Sequence, residues 1–217
     1  MKSAYSLSFF LLLSFSIIAQ NSVPPMPVES PDTVKVGSYV ISVHDINFHE
    51  QEYTIRFWLW FGYDNPEFDF STQPDIPNAK SIEPPEIIRD SLDGNAWAIM
   101  KMKCTMKEKW DVKDFPFDKQ HLKVQIENTL FDNRNLIFVP DIKGSQFDEK
   151  EAIDGWAIGN FRVKAGDNDY ETGFDDSSTE SQVFSTFNIE MDIERDAWGR
   201  SHVFIRSFDT HCFSHFT

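Results

Sequence analysis

The segment Tyr53–Tyr63 reads YTIRFWLWFGY. Apolar residues occupy every second position, Ile55, Phe57, Leu59, Phe61 and Tyr63, and a period of two puts them on one face of a β-strand. A face this continuous must be covered by a second layer. The intervening positions are Thr54, Arg56, Trp58, Trp60 and Gly62. Two Trp side chains facing water form a large apolar patch, so Trp58 and Trp60 point to a neighbouring subunit or a ligand. Trp also offers a π-face to a cation. The alternative is burial of both faces within one chain.

The same period extends in both directions. Val34–Phe48 (VKVGSYVISVHDINF) alternates, and Ala96–Lys109 (AWAIMKMKCTMKEK) puts Ala96, Ala98, Met100, Met102 and Cys104 on one face. Further strands are predicted at His121–Ile126, Asn135–Val139, Trp156–Val163 and Val183–Ile193. Turn-forming runs such as DNPEFD, SLDGN, DFPFD and AGDNDYETGFDDSS separate them. The segment Glu86–Leu92 (EIIRDSL) is expected to form a short helical turn, and no longer stripe of helical period is present. Many short strands at turn-marked intervals predict an all-β chain, an immunoglobulin-like β-sandwich of about ten strands.

Composition sets the outer limits. The chain has 217 residues, 41% of them hydrophobic and 15% aromatic, which suits one domain with a real core. Residues 1–19 have the layout of a secretory leader: Lys2, the apolar run LSFFLLLSFSIIA, then a Pro-rich linker over 20–33. An exported protein is expected. A net charge of -15 excludes nucleic acid as a partner, because that binding runs on Lys and Arg. Cys104 and Cys212 are the two cysteines, and their pairing is left open. No GxSxG, HExxH, Walker or dinucleotide fingerprint appears, so an enzyme is not expected. The loop starting at Asp167 fails as an EF-hand, since Thr172 stands where Gly belongs and Ser178 where Glu belongs. Neither a metal nor a cofactor is expected.

Trp110–Gln120 reads WDVKDFPFDKQ. Pro116 fixes φ and removes a donor between Phe115 and Phe117, so the loop turns sharply and presents two aromatics. This aromatic-Pro-aromatic-Asp run followed by Gln closely resembles the signature loop of the pentameric ligand-gated ion channels, the Cys-loop receptor-like family. Animal members close the loop with a disulfide; the matching positions here are Glu108 and Leu122, which resembles the bacterial members. Other matches lie in order across about Val34 to Asp196. HDINFHEQEYTIRFWLW resembles the first two strands and their loop. IENTLFDNRNLIF resembles part of the principal side of the ligand site, and Ala165–Thr186 resembles the loop that caps it.

The resemblance implies that residues 34–196 are an extracellular ligand-binding domain of nicotinic-receptor type at the periplasmic or extracellular face of the cell membrane, assembled as a homo-oligomer, a pentamer. A small ligand would sit between subunits. Glu127, Thr129, Phe131, Tyr170 and Phe174 fall on the principal side and Trp58 and Trp60 on the complementary side. Aromatics plus one carboxylate suit a cationic amine. Coupling to the pore is implied for His49, Glu50 and Gln51, for Phe115, Pro116, Phe117 and Asp118, and for Arg195. Asp118 is expected to pair with Arg195, the pair shared with Glu50. Where family members continue into four membrane helices, residues 197–217 read WGRSHVFIRSFDTHCFSHFT after Ala197, which suggests a truncated or frame-altered product. His202, His211, Cys212 and His215 in that tail match no common zinc spacing. A soluble binding protein of the same fold, or a carbohydrate-binding sandwich using Trp58 and Trp60 as platforms, are the alternatives.

Overall fold

The computed structural model describes residues 30–92, 95–150, 153, 155–173 and 181–196. The leader, most of the linker, Phe174 and the whole 197–217 tail lie outside the described residues.

Period-two alternation becomes eleven strands among these residues. They are β1 (Asp32–Asn47), β2 (Glu52–Tyr63), β3 (Pro74–Asp75), β4 (Ala79–Ile82), β5 (Glu86–Leu92) and β6 (Asn95–Lys107), followed by β7 (Lys119–Asn128), β8 (Leu136–Pro140), β9 (Gln146–Phe147), β10 (Trp156–Tyr170) and β11 (Gln182–Arg195). The larger sheet runs β4-β6-β2-β1-β8, with β5 added on β6 and β9 on β1; the smaller runs β10-β11-β7-β3. β8 and β9 lie parallel to β1, and the other pairs are antiparallel. The chain is thus an all-β sandwich. Among the described residues, no helix is long and apolar enough to cross a membrane.

The core lies between the sheets. Phe57, Leu59 and Phe61 of β2 are fully buried and face Met100, Cys104 and Met106 of β6 on the same side. The smaller sheet answers with Leu122, Val124 and Ile126 of β7 and with Phe187, Ile189, Met191 and Ile193 of β11. Phe61 stacks on Phe70 at 4.3 Å between ring centroids. Burial pushes the Cys104 thiol up to about 12, so it packs as a small apolar group. Two polar ties cross the core. The Tyr53 hydroxyl donates to the Lys123 carbonyl at 3.2 Å, and the Phe138 amide donates to Ser185 Oγ at 3.0 Å.

Two expectations need correction. Glu86–Leu92 is a strand, not a helical turn, and pairs with β6 from Glu86↔Lys101 to Leu92↔Asn95. The β-branched Ile87 and Ile88 suit a pleat, and the edge of β6 supplies backbone partners that an isolated turn would lack. The capping segment Ala165–Thr186 is paired strand at both of its ends. β10 continues to Tyr170 and β11 begins at Gln182, because paired backbone outweighs the turn-forming character of AGDNDY.

Trp58 and Trp60 lie on the outer face of the larger sheet, partly buried. The cross-strand neighbours of Trp60 are Gly37 and Ile99, and those of Trp58 are Tyr39 and Lys101. Trp60 folds over Gly37 so closely that a Cβ there would lie 2.4 Å from its ring. Gly37→Ala should therefore destabilise the domain by about 1–3 kcal/mol in urea unfolding, by forcing the indole off the sheet. In a Trp60→Ala background the same change should cost almost nothing; an equal cost in both backgrounds would exclude the indole as the cause.

Candidate functional site

At one end of the sandwich the chain enters β11's last residue, Arg195, beside the β6–β7 loop that carries the FPFD run. The Arg195 guanidinium is bidentate on Asp118, with Nε to Oδ1 at 2.6 Å and Nη2 to Oδ2 at 3.1 Å. Backbone joins the same residues, as the Arg195 amide donates to the Asp118 carbonyl at 3.0 Å. Asp118 is 1% exposed and Arg195 21% exposed, so the pair is largely removed from water. Burial pushes the Asp118 carboxyl up. The hydrogen bonds from Arg195 and Gln120 and the Arg195 charge outweigh it and hold the group below its usual value.

Three rings surround the same cation. The guanidinium carbon lies 4.3 Å from the Trp156 ring centre, 5.0 Å from Phe48 and 5.1 Å from Phe115. Phe48 belongs to the β1–β2 loop, Phe115 to the FPFD loop, and Trp156 opens β10. The expected sharing with Glu50 does not occur. The Glu50 carboxylate meets His49 at 3.7 Å, and Gln120 takes the place expected for it, donating to Asp118 Oδ2 at 2.8 Å. Gln120 also braces the FPFD loop, donating to the Asp111 carbonyl and accepting from its amide.

The β1–β2 and FPFD loops are stitched together directly. Trp110 Nε1 donates to the Asn47 carbonyl at 3.0 Å, and the Glu108 amide donates to the Gln51 carbonyl at 2.8 Å. Asn47 Oδ1 accepts from the amides of His49 and Glu50, which fixes the turn. Phe115–Pro116 is a cis peptide bond. Phe115 and Phe117 are 65% and 60% exposed, so this end of the domain presents much of two aromatic rings to its surroundings.

Of the residues expected on the principal side, Glu127 and Tyr170 lie on the outer face of the smaller sheet, with Asn168 and Phe184 beside them, while Thr129 and Phe131 follow the end of β7. Trp58 and Trp60, expected on the complementary side, lie on the outer face of the larger sheet. One chain does not bring the two groups together. Glu127 is buried and accepts from Asn168 at 2.7 Å, Tyr170 at 2.9 Å and Gln125 at 2.6 Å. Burial first, then the hydrogen bond to Glu127, pushes the Tyr170 hydroxyl up to about 12. The carboxylate expected to meet a cationic ligand is thus engaged in fastening the β10–β11 hairpin to β7. Thr129 donates to the Gln73 carbonyl, and Phe131 packs edge-on against Phe68 at 4.9 Å. Between them Leu130 is 70% exposed. The Trp58 ring likewise has a cation of its own chain over it, with Lys101 Nζ 5.5 Å from the ring centre.

The roles of three residues of this site escaped the sequence. Phe48 and Trp156 are ordinary aromatics in an aromatic-rich chain, and only folding sets them around Arg195. Leu130 sits in an unremarkable TLF run. Gln120 was legible as part of the loop motif, but its bracing role depends on where the loop doubles back.

No family model matches the chain. The chain is similar to a proton-gated ion channel of Gloeobacter violaceus, 22% identical over 160 residues, which cover 64% of this chain and 45% of that protein. The chain therefore spans less than half the length of that relative.

Asp118→Asn and Arg195→Gln should each cost about 3–5 kcal/mol in denaturant unfolding, as expected when one partner of a buried pair is removed. The double variant should cost clearly less than the two together; additive losses would mean the pair is energetically unlinked. The depressed Asp118 carboxyl adds stability that is fully present above its ordinary value of 3.8 and is lost as pH falls through its lower folded value. Asp118→Asn should accordingly flatten the acid limb of the stability profile, and an unchanged limb would assign it to other carboxylates.

Proposed function

We propose that this chain supplies the extracellular ligand-binding domain of a pentameric ligand-gated ion channel, exported by its leader to the outer face of the cell membrane. The observation that carries the proposal is the Arg195 cluster. It joins the β1–β2 loop, the FPFD loop and the end of the last strand at one pole of the sandwich. In the family that the sequence resembles, these segments face the pore and pass ligand binding to it. The distant similarity to a channel protein supports the same assignment. His49, Glu50, Gln51, Phe115, Pro116, Phe117, Asp118 and Arg195 are the proposed coupling surface, with the exposed Phe115 and Phe117 rings as its contact with the pore helices.

The ligand site is proposed between subunits, formed by the outer face around Trp58 and Trp60 on one copy and the hairpin held by Glu127 and Tyr170 on the next. Their placement on opposite faces of one sandwich suits such an arrangement, because a ring of copies sets the two faces against each other. Both features that suited an amine, the Glu127 carboxylate and the Trp58 π-face, are engaged within the chain itself.

Sedimentation of the mature protein should give the mass of five copies, and a monomer at every concentration would favour a soluble binding module instead. Residues 30–196 grafted onto the pore of the Gloeobacter channel should give ligand-dependent current. Phe115→Ala with Phe117→Ala should abolish that current without loss of surface assembly. Full current in that variant would remove the two rings from the coupling surface.

A further inference from the structure

The outer face of the larger sheet carries, below Trp58, a hollow of about 380 Å³ lined by His44, Arg56, Glu83, Glu86, Lys101 and Lys103. Register explains why these side chains converge. Arg56 stands opposite Lys103 and Trp58 opposite Lys101, so β2 and β6 project three cations to one side. This is unusual ground in a chain with a net charge of -15.

The partners already present leave one of these cations over. Lys103 Nζ meets Glu83 Oε1 at 2.5 Å, Lys101 Nζ lies over the Trp58 ring, and His44 meets Asp45 at 2.7 Å. Arg56 has no carboxylate within ion-pair distance among the described residues, although the chain holds 35 acidic residues. A guanidinium is always charged and is best matched by a planar oxyanion that takes two of its N–H groups. The hollow sits at the small end of the range for ligand clefts, roughly 300–1,000 Å³.

We infer that this hollow binds a small monocarboxylate, its two oxygens on Arg56 and its charge shared with Lys101. Among the lining side chains, the three cations Arg56, Lys101 and Lys103 exceed the two carboxylates of Glu83 and Glu86 by one charge, and that favours a monoanion over a dianionic phosphate. All the lining residues belong to one chain, so the site does not require assembly, and sedimentation of the same samples separates the two questions.

The test is ligand-observed saturation-transfer NMR of the whole chain titrated with sodium propionate at fixed ionic strength. Propionate should bind saturably and more tightly than phosphate, with ethylammonium giving no signal. Arg56→Gln should weaken propionate at least tenfold, and Glu86→Gln should tighten it several-fold by removing a competing carboxylate. The opposite sign for Glu86→Gln, together with ethylammonium binding, would make this a cation site and overturn the inference. So would the absence of saturable propionate binding, or an unchanged affinity in Arg56→Gln. If Arg56→Gln does not fold, Glu83→Gln and Glu86→Gln carry the comparison, and failure of both to tighten binding would equally overturn it.

Discussion

The guanidinium of Arg195 is the point at which four separate segments of the chain meet. A cation this far from water costs several kcal/mol unless it is paired and surrounded, and here it has a two-toothed carboxylate in Asp118 and the rings of Phe48, Phe115 and Trp156 around it. The partners come from three other segments, the β1–β2 loop, the FPFD loop and the start of β10, so satisfying one charge closes the end of the sandwich. The β1–β2 loop, the FPFD loop and the start of β10 take their positions from that requirement. Trp110 then fastens the FPFD loop to the β1–β2 loop through the Asn47 carbonyl, and Gln120 braces the FPFD loop from within through the backbone of Asp111.

The two outer faces of the sandwich differ in how much of their chemistry is already used. On the smaller sheet the charges are paired across the strands. Lys119 meets Glu194 at 2.5 Å, His121 meets Asp192 at 2.6 Å, Arg162 bridges Glu190 and Asp192, and Lys164 meets Glu190 at 2.7 Å. The hydrogen bonds from His121, Arg162 and Asn160 hold Asp192 well below the usual carboxylate range. Glu190 is also held low: burial pushes it up, and Lys164 and Arg162 outweigh that. The outer face of the larger sheet carries Trp58, Trp60, Trp97, Ile99 and the 54% exposed Ile88 in adjoining rows, with Arg56 beside them. Apolar area and unmatched charge are what binding uses, and both are concentrated on this face.

Glu127 shows how a residue type can be identified correctly while its role is set elsewhere. A carboxylate near aromatics suits a cation, yet Asn168, Tyr170 and Gln125 reach it first because the hairpin extends as paired strand further than its turn-forming composition implies. The same extension places Tyr170 edge-on to Phe184 at 5.7 Å, so this aromatic pair is internal to the hairpin. Backbone pairing between β10 and β11 therefore decides which groups on this face are left for a partner.

By itself the sequence determined the all-β class, the inward face of β2 and the placement of Trp58 and Trp60 outside the core, because strand periodicity is local and a period of two sorts side chains without knowledge of the partner strand. The FPFD loop and the pairing of Asp118 with Arg195 were legible through resemblance. The strand at Glu86–Leu92 was not, since an edge strand is defined by the neighbour that offers it hydrogen bonds. Nor were the rings around Arg195, the replacement of Glu50 by Gln120, or the convergence of Arg56, Lys101 and Lys103. The rings around Arg195 and the cations of β2 and β6 join residues far apart in the chain or on adjacent strands, and Gln120, two residues from Asp118, reaches it in place of Glu50 only because of how the loop folds; the register of the sheets and the crossing of loops at one pole decide all three.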